Sequence, residues 1–472
     1  MQRLFPDTLK RLLTIKGTGS FSELEPVYRR ALKIAWPAAL EGILISIISS
    51  VDMIMVGALG PAAIAAVGLT HQPRMIMLIA AQSLNIGTTA IIARRKGAGD
   101  MAGVRSCLEQ SMLISAFIGL LITLTGFFLA GPFMSLAGAN EDTLALSTDY
   151  FRIVSLGFIP NCLQLCICAA FRGLGKTRVT MITHFLSNGV NVVFNFLLIG
   201  GNLGFPALGV RGAAIATSLG ALAAFIVTLR FATRTDSPFR FRLRKPRFDR
   251  DTVRGLMKIG GSSVSESVFL RAGFLLQHII IASLGTVYYA AFHIVSQVSA
   301  LSFTLGDGIA AAGVAMVGQS LGAGSEAKAK TAVAVTRRIS YIASIALMLL
   351  IFFLRRGLAA LFTLDEMVLA AASAGFLVVI PGLIPQNGRV VYAGCLRGAG
   401  DVGYVAFTSF IGVGILRPLI TFLLCFRLAP VFPALSLYAT GPWFAFLIDA
   451  VVRNMLLANR VRGGRWTRIQ LK

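Results

Sequence analysis

KIAWPAALEGILISIISSVDMIMVGALGPAAIAAVGLTHQPRMIMLIAAQSLNIGTTAIIARRKGAG, Lys33–Gly99, recurs in outline further along the chain: adding 225 to each number carries it without a gap onto Lys258–Gly324. Lys33-Ile34 meets Lys258-Ile259, Glu41 meets Glu266, Leu59-Gly60 meets Leu284-Gly285, Gln72 meets Gln297, and Gly97-Ala98-Gly99 meets Gly322-Ala323-Gly324. Apolar coincidences weigh little in a chain this rich in alanine and leucine, but the matched Glu, Gln and Gly-Ala-Gly are harder to get by chance. The same offset pairs Gly157 and Pro160 with Gly382 and Pro385, and Arg172-Gly173-x-Gly175 with Arg397-Gly398-x-Gly400. One lobe of about two hundred residues has been made twice.

Of the 472 residues, 56% are hydrophobic and 14% charged, and the apolar ones fall in long uncharged runs. Each run is near the ~20 residues a helix needs to cross a bilayer core. Lipid leaves no backbone group free to bond water, and unbroken apolar runs lack the alternation of barrel strands. The expected fold is therefore an all-α polytopic membrane protein, with twelve transmembrane helices in two pseudo-twofold-related six-helix lobes.

The chain divides accordingly. Residues 1–30 form a basic N-terminal tail without the apolar core and cleavage site of a secretory signal. An N-lobe of six spans, residues 31–232, is predicted from runs near 34–57, 72–93, 109–131, 148–171, 179–200 and 211–232. A basic linker, 233–254, precedes a C-lobe, 255–458, with runs near 256–283, 290–317, 333–354, 369–394, 403–426 and 436–458, and a basic tail, 459–472, follows. Lys and Arg gather in the tails, the linker and alternate loops such as Arg94-Arg95-Lys96, which predicts cytoplasmic termini, although Arg355-Arg356 breaks the pattern. The net charge of +24 then reads as topology and contact with anionic lipids, with no nucleic-acid partner.

A six-span unit begins and ends on one face, so its copy inserts the same way round. Parallel repeats of this kind in transporters hold substrate at the lobe interface and alternate access by rocking. Chemistry must come from the few polar residues within spans, each costing at least ~2.5 kcal/mol if charged at mid-membrane. Glu41 and Asp52 lie eleven residues apart in the first run, about 20° apart in azimuth and ~16 Å in height, with Asp52 the deeper from the cytoplasm. Glu41 reads either as a solvated helix end or as part of a cleft. In the fifth run His184, Asn188, Asn191 and Asn195 fall on one helical face, which must meet protein or a water-filled cavity. Asp52, Asn191, Asn195 and Thr217 together could offer oxygens to a small cation, or tune a carboxyl that takes up a proton.

Several motifs now add up. Pro37 stands fifteen residues before Asp52 in Val-Asp-Met-Ile-Met-Val-Gly-Ala-Leu-Gly, and the second run ends in Ala-Arg-Arg-Lys-Gly-Ala-Gly-Asp. Arg172-Gly173-Leu174-Gly175, Asn191-x-x-x-Asn195 leading to Gly200, and Gly212-Ala213-Ala214-x-Ala216-Thr217 follow. From about residue 30 to 458 the chain resembles the multidrug and toxic compound extrusion (MATE) family. The resemblance implies a central cleft between the two six-helix lobes and a secondary antiporter of the bacterial inner membrane, monomeric and without a cofactor. It would export small amphipathic, mostly cationic organic compounds in exchange for H⁺, ahead of Na⁺. It puts the cation-coupling set on Asp52, Asn191, Asn195 and Thr217, which would also be the only metal site were Na⁺ the ion. DinF-like members carry Asp where this chain has Asn195, and NorM-like members carry acids at positions that fall on Leu270 and Gln386, so the subfamily stays open.

The second lobe has its own polar residues, Glu266, Arg271, Gln277, His278, His293, Asp307 and Arg389. Arg271 and His278 share one face, Glu266 and Gln277 another. With Glu41, His184 and Asn188 these are candidates for substrate cleft or gate. His278 reads more readily as a packing residue than a titrating one, and Arg271 and Asp307 are expected to pair, with each other or with Glu266. Basic residues here keep open an anionic metabolite or a lipid-linked saccharide as cargo. A membrane-embedded prenyl transferase would need paired acidic metal-diphosphate motifs, which this sequence with its 20 Asp and Glu does not show. The Gly-rich turns lack the strand and Lys-Ser/Thr of a phosphate loop, and Cys162-x-x-x-Cys166-x-Cys168 reads as packing, not as a metal site.

Overall fold

The structure is a computed structural model that describes residues 21–234, 237, 239, 249–432 and 436–469, and among these every regular element is helical. Among the described residues ten helices are long and apolar enough to cross a membrane, and two bent pairs, each taken as one span, bring the number to twelve. The helices are α1 (Phe21–Gly57), α2 (Pro61–Met77), α3 (Ile79–Gly97), α4 (Met101–Phe128), α5 (Ala130–Leu136), α6 (Glu141–Leu156), α7 (Phe158–Gly173), α8 (Thr177–Ile199) and α9 (Gly209–Thr233). After the linker come α10 (Arg250–Ala282), α11 (Thr286–Gly322), α12 (Glu326–Ala360), α13 (Glu366–Ala399), α14 (Val402–Leu428) and α15 (Leu437–Arg462). The first ten residues of α1 lie within the expected N-terminal tail, so that helix starts well before the apolar run.

The repeat is not built identically in its two copies. α2 and α3 meet at 47°, and α6 and α7 at 49°, whereas their counterparts α11 and α13 are single helices. Pro73 sits inside α2 without a counterpart in α11, and a ring in mid-helix removes a backbone donor and crowds the preceding turn. Proline alone does not decide the matter, because Gly157-x-x-Pro160 accompanies a break while Gly382-x-x-Pro385 lies inside α13. α14 carries two π-helical stretches, Phe410–Leu416 and Leu423–Leu428, where its counterpart α8 is a regular α-helix.

The chain forms two compact units, and their boundary does not coincide with the repeat boundaries expected at residues 31 and 255. One unit is Leu40–Gly261; the other takes the chain through Ala39 together with the chain from Ser262 onward. The leading half of α1 therefore belongs with the second repeat, and the leading turns of α10 with the first. Packing explains both. Leu24, Tyr28, Ala31 and Ala35, at i, i+4, i+7 and i+11, form one buried stripe against Ala312, Ala315 and Met316 of α11 and Tyr392 of α13. Gly308 lets the α1 backbone come close, since a Cβ there would stand 2.6 Å from the Ala39 nitrogen. In the other unit, Gly87 of α3 faces the Leu256 carbonyl of α10, and Arg95 donates to Thr252 Oγ1 at 2.6 Å.

Within each unit the repeat shows in the close approaches. A Cβ on Gly173 would meet the Thr89 carbonyl at 2.6 Å, and one on Gly398, 225 residues on, would meet the Val314 carbonyl at 2.4 Å. The first unit's core gathers Val56, Ala81, Tyr150, Val154, Phe158, Cys162, Ala213 and Ala214. All six cysteines are buried free thiols. The tail past α15 is tied down by Trp466, which is fully buried and donates its Nε1–H to the Val461 carbonyl at 2.8 Å. Most of the linker and residues 1–20 lie outside the described residues.

Candidate functional site

Two helices of the first unit, α1 and α8, stand in register over three turns. Asn195 Nδ2 donates to Asp52 Oδ1 at 2.8 Å, and eleven residues earlier on both helices His184 Nε2 lies 3.3 Å from Glu41 Oε1. The separation in sequence is the same at both rungs, so the α1 stripe and the α8 stripe face each other along their length. Asn188 and Asn191 lie between the rungs, and the Asn188 amide nitrogen is buried with no hydrogen-bond partner among the described residues.

The Asp52 end is a cage of neutral polar groups. Oriented so that both of its ends are satisfied, the Asn191 amide donates to Asp52 Oδ2 and Oδ1 at 3.1 and 2.6 Å and accepts the Thr217 backbone N–H at 3.2 Å. Thr217 Oγ1 donates to the Ala213 carbonyl at 3.0 Å. Asn195 Oδ1 is a buried acceptor without a partner among the described residues. Tyr150 reaches Thr217 with its hydroxyl, and Arg74 lies within electrostatic reach of both Asp52 and Tyr150. Asp52, Asn191, Asn195 and Thr217 are thus brought together, and Tyr150 and Arg74 join them. Tyr150 gave no signal in sequence, and Arg74 was legible only as a charge at the start of the second apolar run.

The Glu41 end is buried, unlike a solvated helix end. Thr180 Oγ1 donates to Glu41 Oε2 at 2.6 Å, and Arg172 Nη1 stands 3.4 Å from Oε1. Gln164 Nε2 lies 3.3 Å from the same His184 nitrogen that faces Glu41. On its other side the α1–α8 pair presents an apolar groove of 350 Å³ lined by Leu40, Leu44, Met181, Ile182, Phe185 and Leu186.

The second unit repeats the Glu41 rung, with Ser409 in the place of His184, but not the Asp52 rung. Glu266 Oε1 accepts from Arg397 Nη2 at 2.7 Å and from Ser409 Oγ at 3.1 Å, two partners other than the Arg271 or Asp307 expected for it. The positions matching Asn191 and Asn195 are Leu416 and Ile420. Asp307 is exposed in mid-helix with Arg397 and Arg389 in electrostatic reach, and Arg389 Nε donates to Gln386 Oε1 at 3.1 Å. His278 bonds the Phe274 carbonyl of its own helix through Nδ1 at 2.7 Å and packs edge-on against Tyr289 and Phe292, while Gln277 is buried. His293 packs its ring against Tyr289 and His278. Arg271 is partly exposed on α10.

A cluster that sequence reading passed over lies between α14 and α15. Asp449, fully buried, accepts from Arg417 Nε and Nη2 at 3.0 and 2.5 Å and from Arg453 Nε at 2.6 Å. Its signal was available, since Asp449 and Arg453 are four apart inside an apolar run.

The MatE family model matches the chain twice, at residues 37–197 and 263–423. The chain belongs to the MatE family. Both matches fall in corresponding parts of the two repeats, as a duplicated MatE protein requires. The chain is similar to the probable multidrug resistance protein NorM of Thermotoga maritima, 26% identical over 450 residues and 94% of each chain. It is 28% identical over 383 residues to the multidrug resistance protein PmpM of Pseudomonas aeruginosa, covering 79% of each. In fold it matches a solved outward-facing multidrug resistance MATE family transporter of the MOP superfamily, with a TM-score of 0.85 and 20% identity over 97% of this chain and 98% of that one. This MatE chain is accordingly an integral membrane transporter by family.

Proposed function

We propose that this MatE chain is a monomeric secondary antiporter of the bacterial inner membrane, with both termini cytoplasmic, that exports amphipathic, cationic organic compounds in exchange for H⁺. The observation that carries the reading is the Asp52 cage: one carboxylate on a spanning helix, met by the amides of Asn191 and Asn195. Two amide donors match an ionised carboxylate, and the uptake of a proton replaces that charge with a neutral acid whose hold on α8 is weaker. Bound protons thereby bias one arrangement of helices over another, which is what an exchange cycle needs. H⁺ is favoured over Na⁺ because Na⁺ would require oxygen ligands and both amides would have to turn. The similarity to proteins named for multidrug resistance supports the cargo class.

The test is reconstitution in proteoliposomes with a cationic dye, under imposed pH and Na⁺ gradients applied separately. Dye export driven by the pH gradient is expected, and Asp52→Asn should reduce it to the rate of protein-free liposomes. Full activity of that variant would overturn the coupling assignment. A second reading, export of an anionic metabolite or a lipid-linked saccharide, is favoured by Arg389, whose one hydrogen bond among the described residues goes to a neutral side chain. An anionic dye carried in preference to the cationic one, with loss on Arg389→Gln, would select it.

A further inference from the structure

The α1–α8 ladder has a second ionisable rung that coupling at Asp52 does not use. We propose that Glu41 and His184 form a second proton-binding site, on the cytoplasmic side of the first unit, through which the coupling proton leaves; this rests on the H⁺-antiport reading.

Three observations carry it. First, one nitrogen has two incompatible neighbours: His184 Nε2 lies 3.3 Å from the Gln164 amide nitrogen, a donor, and 3.3 Å from Glu41 Oε1, an acceptor. Without its proton Nε2 accepts from Gln164, and with it Nε2–H donates to Glu41, so both states have a partner in place. Secondly, the repeat supplies an internal comparison. Glu266, Arg397 and Ser409 occupy the positions of Glu41, Arg172 and His184, and the second unit holds its acid with a serine hydroxyl at 3.1 Å. An ion pair that merely fastens helices is thus served by serine, whereas imidazole adds a group that titrates near neutral pH. Thirdly, the polar stripe continues from His184 through Asn188, whose buried amide nitrogen has no partner among the described residues, towards Asn191 and Asn195.

The titratable and charged groups facing the pair are Glu41 on α1, Cys168 and Arg172 on α7, and His184 itself on α8. In the step proposed, His184 Nε2 gains a proton and donates it as a hydrogen bond to Glu41. The N–H bond then breaks as the proton passes to cytoplasmic water beside Arg172, whose side chain is 28% exposed. No electrons move, and the charge that enters leaves.

Inverted membrane vesicles expose the cytoplasmic face to the bath. Dye transport is measured in them for the wild type and His184→Ser under the same imposed gradient at bath pH of about 5, 6, 7 and 8, a range that reaches well to both sides of the ordinary imidazole value. Serine is the residue the molecule already uses at this position in its other copy. The ratio of variant to wild-type rate should change about tenfold across this range, as expected of a single group that titrates within it. A ratio that stays within about twofold overturns the inference even though the wild type is proton-driven. A wild type that answers to Na⁺ and not to pH overturns the antiport reading and takes this one with it. Should His184→Ser be lost from the membrane, His184→Gln is read in the same way.

Discussion

Asp449 holds two guanidinium groups in a fully buried place, and its neighbours define what its loss would do. Removing one member of such a cluster leaves uncompensated charge inside the protein, which costs about 3–5 kcal/mol. Asp449→Asn should therefore lower the melting midpoint of the detergent-solubilised protein markedly. Replacing Asp449, Arg417 and Arg453 together with apolar residues should restore much of it, which a thermal melt of the triple variant would check. Residues of the Asp52 cage were legible because helical spacing alone puts Asn191 and Asn195 on one face. The Glu41–Arg172 pair was visible only as two separate repeat matches, because nothing in a sequence says that positions 131 apart will touch. Asp449 and Arg417 were missed for the same reason, lying on different helices with no shared period.

Helix ends and helix breaks depend on their surroundings. Asp249 caps α10: its Oδ1 accepts from the backbone N–H of Asp251 at 3.1 Å, and the Thr252 hydroxyl donates to Oδ2. That hydroxyl, followed by the backbone donors and Arg95, holds the carboxyl below the usual carboxylate range despite some opposing burial. A carboxyl with a lowered folded pKa adds stability above its unfolded value, near 4, and loses it as pH falls through the folded value. Asp249→Ala should cost about 1 kcal/mol at neutral pH, as a lost cap does. The gap to wild type should narrow below about pH 4, where the carboxylate of the wild type takes up its proton, read by thermal melts across pH. Gly308→Ala is expected to force α1 from α11 at Ala39 and cost about 1–3 kcal/mol, seen as a lower melting midpoint. Span number and position followed from apolar runs, but the breaks at Leu78 and Gly157 and the π-helical stretches of α14 did not, since the same Gly-x-x-Pro spacing bends one copy and not the other.

The duplication itself was fully legible, and the partition into units was not, because composition says where a helix crosses but not which neighbours cover its ends. Expressed separately, halves divided within the linker should each fail to yield stable protein, since each lacks the half-helix that completes it. Co-expressed, they should purify together, a result that pull-down of one tagged half would reveal. The same sharing constrains how the protein is made. Ala31 emerges 281 residues before Ala312 (312 less 31), its partner in the core. At roughly 5–20 residues per second the ribosome needs about a quarter of a minute to a minute to supply that partner. Throughout that interval the leading half of α1 has been synthesised but has nothing of its own to pack against, so the order of translation and the order of completion run in opposite directions for the first helix of this protein.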